Sequence, residues 1–124
     1  MNPILVCRMQ DAEGRGPYRP GFSHKWSERE TGPDPIYIAF PNIGNLCRHI
    51  VSSRGGSVGC AFRTTEQARA WFSPNEVLTL LTYGYGLVWL YADEVIAENH
   101  DQAVIWCPKP LRSAVIARGW RESA

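Results

Sequence analysis

The sequence predicts one α+β domain, with helices packed on a small sheet or split sheet. Three observations carry that expectation. Strand-like and helix-like segments follow each other in mixed order along 124 residues, a length that suits a single domain over 1–124. Two segments open with capping-box signals for helices. Two others are apolar on both faces for the length of a strand, as strands in the middle of a sheet are. The hydrophobic share of 44% and the charged share of 20% suit a packed core, and a chain this long buries one without disulfides.

The elements follow in order. "ILVCRMQ" (4–10) reads as a first strand, its apolar run broken by Arg8. Residues 11–35 form a long loop with five glycines and prolines in its first eleven positions. Connections of this length are often functional. "IYIAF" (36–40) reads as a short strand. Asn42 then suits a helix cap, and Ile43, Leu46, Cys47, Ile50 and Val51 recur at helical spacing until "SSRGG". "SVGCAFR" (57–63) is a strand. In "TTEQARAWF", Thr64 and Gln67 have capping-box spacing. In "SPNEVLTLLTYG", Ser73 caps, Pro74 takes the first helical position, Glu76 completes the box and Gly84 ends the helix. "GLVWLYADEV" and "QAVIWCP" are the two strands apolar on both faces. "LRSAVIARGW" fits a strand or a short helix, and "AVIA" favours the strand.

Several chemistries find no support. Thirteen Lys and Arg balance twelve Asp and Glu, so there is no charge signal for a nucleic acid or an anionic membrane. No stretch has the apolar length of a membrane span, and no signal peptide is legible, so the expected compartment is the cytoplasm. Cys7, Cys47, Cys60 and Cys107 are scattered without a Cys-x-x-Cys pair and read as reduced, buried thiols. Neither they nor His24, His49 and His100 have metal-ligand spacing. "GRGPYRPG" and "GGSVG" fail the spacing of phosphate loops and read as turns. No Gly-x-Ser-x-Gly is present.

Two features stay open between a structural and a functional role. Arg8 in an apolar strand either faces solvent or a structural carboxylate, or it lines a cleft and grips a phosphate or carboxylate with its planar fork. Asp101 and Gln102 in "NHDQAVIW" are either a solvated turn or the mouth of a crevice at a sheet end.

Taken together, the first-strand arginine, the long loop, "GCAFRTTEQARAWF" as a strand feeding a capped helix, and "NHDQAVIWCPKPL" opening a late strand resemble the small ADP-ribosyltransferase-like proteins of phages and mobile elements. The resemblance covers most of the chain as an order of elements. It implies a small split, mixed β-sheet with about three helices around a cleft for NAD, the substrate. It places Arg8 on the nucleotide's pyrophosphate, Thr64 near the nicotinamide ribose, Phe62 or Trp26 against a ring, and Gln102 with Asp101 on the ribose hydroxyls. The chain departs from the pattern in holding Gln102 where classical enzymes place a catalytic Glu, and it lacks their middle-strand tyrosine motif. An amide orients hydroxyls but cannot balance oxocarbenium charge, so Asp101 or Glu98 would have to supply it.

Two functions of different class follow. One is ADP-ribosyl transfer from NAD to a macromolecule, with a protein the expected target and the 11–35 loop covering the cleft or recognising that target. The other is a non-catalytic inhibitor that blocks a host partner by binding. The loop's Tyr18, Phe22 and Trp26 among Arg and Lys have the composition of an interface hot spot.

Overall fold

In the computed structural model, which describes residues 2–28 and 36–120, the chain forms two small antiparallel sheets with helices packed around them. The strands are β1 (Ile4–Gln10), β2 (Ser57–Ala61), β3 (Gly86–Ala92), β4 (Glu94–Glu98), β5 (Ala103–Cys107) and β6 (Val115–Arg118). The helices are α1 (Ile36–Ala39), α2 (Ile43–Arg54), α3 (Thr65–Trp71), α4 (Pro74–Thr82) and α5 (Leu111–Ala114). One sheet has the order β1-β3-β6 and the other β2-β5-β4. Among the described residues one isolated bridge links them, where Cys7 and Phe62 exchange backbone hydrogen bonds of 2.8 and 2.7 Å. The sheet is therefore split as expected. It is not mixed: every pairing between the named strands is antiparallel.

Alternation along the strands builds two cores. Cys7, Met9, Leu87 and Trp89 face Phe62, Ala68, Trp71, Phe72 and Leu80 on the helix side. Val6, Val88, Leu90 and Ala92 face Ala61, Ala103, Ile105, Cys107 and Leu111 between the sheets. β3 is thus covered on both sides and central, which is why its sequence is apolar on both faces. β5 is likewise the middle strand of its sheet.

Local signals account for the long helices. Both boxes form in full: the Thr64 hydroxyl accepts from the Gln67 N–H, the Ser73 hydroxyl from the Glu76 N–H, and each N3 side chain reciprocates. Asn42 precedes α2 but makes no side-chain cap. Gly55 and Gly56, both at positive φ, turn the chain from α2 into β2. A Cβ at Gly56 would stand 2.3 Å from the Cys107 carbonyl oxygen.

Three expectations are corrected. Residues 36–39 are helical, not a strand; a short apolar run fits either period, and Pro41 has no N–H to give a ladder. "GLVWLYADEV" is not one strand. It breaks at Asp93, whose N–H donates to the Trp106 carbonyl, and the chain passes from the first sheet to the second. The 11–35 loop is not free along its described part. Phe22 and Trp26 are buried, Phe22 stacks on Tyr85 with centroids 5.1 Å apart, and Trp26 Nε1 donates to the Pro17 carbonyl. "LRSAVIARGW" holds both of its alternatives, a helical turn and then a strand. Among the described residues no helix is long and apolar enough to cross a membrane.

Candidate functional site

Alternation puts Arg8 and Gln10 on the same side of β1 as Val6, toward the space between the sheets. Arg8 is 7% exposed. Its Nε donates to Gln10 Oε1 at 2.9 Å, Nη1 to the Cys60 carbonyl at 2.8 Å, and Nη2 to the Gly14 carbonyl at 3.1 Å. Gln10 Nε2 donates onward to the Leu111 carbonyl at 3.4 Å. Gly59 makes room for this group: a Cβ there would lie 2.7 Å from Nη1 and 2.8 Å from Leu111 Cδ1. The cation's hydrogen-bond partners among the described residues are all neutral. Burial pushes its pKa below that of an ordinary arginine. The nearby Asp11 carboxylate offsets part of that cost, and a further anion would offset more of it.

The turn that brings Gly14 to Arg8 is locked by Asp11. Asp11 Oδ1 accepts from the N–H groups of Glu13 and Arg15 at 3.0 and 2.9 Å, and Oδ2 accepts from Arg15 Nε at 2.8 Å. Burial opposes the charge on Asp11, but the Arg15 N–H, the Arg15 guanidinium and the Glu13 N–H outweigh it. The carboxyl is held below the usual aspartate range.

Asp101 and Gln102 do form a turn. Asn99 Oδ1 accepts from the N–H groups of both, at 2.9 and 3.0 Å, and the Asn99 N–H donates to the Gln102 carbonyl. This is an Asx turn, which the asparagine side chain closes as a backbone carbonyl would. The turn is not simply solvated. Gln102 is 3% exposed, and the Asp101 side chain 28%, beside exposed His100. Gln67 Nε2 donates to the His100 carbonyl at 2.9 Å, and Arg63 forms a two-point ion pair with Glu98 at the end of β4.

The expected site residues fall into two groups. Asp101, Gln102, Phe62 and Thr64 gather where β2 ends and β5 begins. Ala103 faces the inter-sheet core, and Gln102, just before the strand, is buried. Arg8 lies on the inter-sheet side, at Cys60, two residues before Phe62. Trp26 and Phe62 belong to the helix-side core, at 3% and 5% exposure, each ring packed against Phe72. Neither is an open platform for a base. The Thr64 hydroxyl serves as the α3 cap.

Sequence reasoning missed Gln10, Gly59 and Asn99 and saw Gln67 only as a cap. Gln10 was legible as the residue two beyond Arg8 on one strand face. Gly59 was not, because its role depends on a strand fifty residues away. The four cysteines are free, and burial raises each thiol, Cys7 to about 12. Among the described residues no three His, Cys, Asp or Glu side chains gather as a metal site requires. Compared with known proteins, the chain matches no family model, no curated protein and no solved structure, so the site is read on its own geometry.

Proposed function

We propose that the protein binds NAD along the seam between its sheets and transfers ADP-ribose to a macromolecular acceptor, a protein in the first instance. The observation that carries this reading is Arg8, a buried guanidinium with neutral partners at the point where β1 and β2 part. A pyrophosphate would add to the negative charge that Asp11 supplies. The split arrangement, with β1 and β2 side by side and the acid-amide pair at the start of β5, supports the resemblance drawn from sequence.

In this reading the pyrophosphate lies at Arg8 and the nicotinamide ribose reaches the end of β2. The bond from ribose C1′ to the nicotinamide nitrogen breaks, and nicotinamide leaves as a neutral molecule with the bonding electrons. An acceptor nucleophile attacks C1′ and releases its proton. Positive charge that builds on the ribose favours a nearby carboxylate. Glu98 is held by two bonds from Arg63, whereas Asp101 lies on the turn itself with His100 Nε2 at 3.3 Å, so Asp101 takes that role and Gln102 orients hydroxyls.

The test is an NAD titration followed by thermal unfolding. At about 100 times the dissociation constant, the ligand should stabilise the protein by about 2.7 kcal/mol. Arg8→Lys, which keeps the charge and loses the fork, should weaken NAD binding. Asp101→Asn should leave binding intact and lower turnover. No shift at millimolar NAD removes the reading. The rival, an interaction protein built on the 11–35 loop, loses two aromatic anchors, since Phe22 and Trp26 lie in the core.

A further inference from the structure

We infer that Gln67 is a positioning residue for Asp101 and Gln102, acting through the turn that leads into β5; this rests on the transferase reading above. The Gln67 side chain works at both ends. Its Oε1 accepts from the N–H groups of Arg63 and Thr64, at 2.8 and 3.3 Å, and so closes the capping box of α3. Its Nε2 donates to the carbonyl of His100, the residue just before Asp101, at 2.9 Å. Capping uses the acceptor alone, and Glu serves that position as well as Gln. The donor is surplus to the helix and reaches the turn.

Asn99 and the Arg63–Glu98 pair at this corner do different work. Asn99 closes the turn internally and does not tie it to the rest of the molecule. The Arg63–Glu98 pair anchors the end of β4, with both side chains more than a third exposed, where water and salt compete for them. Gln67 joins the rigid start of α3 to the backbone directly beside the two residues assigned to the ribose.

Gln67→Glu tests this without dismantling the helix. The acceptor and the cap remain, the donor is lost, and a carboxylate is set against the His100 carbonyl. Three quantities are measured on the full chain with NAD as the probe: the thermal midpoint, hydrogen exchange at the Asp101 and Gln102 amides, and steady-state NAD turnover. The expected result is an unchanged midpoint, faster exchange at both amides, and kcat lower by roughly ten- to a hundredfold with KM for NAD unchanged. Gln67→Ala, which removes cap and clamp together, should lower the midpoint as well. Parental exchange and parental kcat in Gln67→Glu overturn the inference. Faster exchange in a chain whose unsubstituted form neither binds nor turns over NAD overturns the transferase reading, and with it the catalytic part of the inference, while identifying the clamp as anchorage of the turn.

Discussion

Gly59 and Arg8 depend on each other. The space a Cβ would take on β2 is occupied by the guanidinium and by Leu111. Gly59→Ala should therefore displace both, at a cost of roughly 1–3 kcal/mol, the usual range for forcing a methyl group into a filled interior. Urea unfolding checks it, and an unchanged midpoint would show that the side chains move aside freely. Asp11 gives a second prediction at this scale. Its folded pKa is depressed from the ordinary 3.8, so the unfolded chain binds the proton first as pH falls. The stability it contributes is complete above that ordinary value and is lost as pH drops through the folded one. Asp11→Asn should be less stable than the parent at neutral pH, with the gap closing in acid. A gap constant with pH would mean that the turn does not depend on the ionised carboxylate. Arg8 was conspicuous in the sequence because a lone cation in an apolar strand demands explanation. What holds it was not, because Cys60 and Gly14 act through backbone carbonyls, which carry no sequence signature.

The helices that announce themselves locally are those whose ends are capped by their own side chains. Thr64→Ala and Ser73→Ala should each cost about 1 kcal/mol, within the range of 0.5–2 for lost caps. Thr64 carries an additional consequence, since α3 also holds the turn before β5 through Gln67. Thermal unfolding of the two single variants and the double variant measures this; costs that fail to add would couple α3 to α4. Ser73 and Glu76 were readable because a capping box spans four residues. Strand limits were harder to read. Nothing in "GLVWLYADEV" short of the Asp93-Glu94 pair marks the passage between sheets, and β4 is placed by its pairing with β5, not by its own pattern. The helical turn at 36–39 was misread for the same reason: a short apolar run takes its conformation from what it joins. In α4, Leu78 and Leu81 are more than half exposed while Leu80 is fully enclosed.

At the scale of the molecule, the α+β class was legible from the order of segments, whereas the sheet partners were not, because pairing joins distant parts of the chain. The Asp101-Gln102 stretch shows the limit well. It is a turn, closed by the Asn99 side chain, and it leads into a buried strand. Burial of Phe22 and Trp26 in the helix-side core takes two of the loop's aromatic rings from the surface, while Tyr18 stays half exposed. The long-distance pairing has a further consequence, for how the protein is made. β1 lies in register with β3 from Ile4 opposite Ala92 to Gln10 opposite Gly86. β1 leaves the ribosome before β3 is synthesised, so the pairing that encloses Arg8 forms only once Ala92 has been made. Until then the nascent chain carries β1 as an unpaired apolar strand.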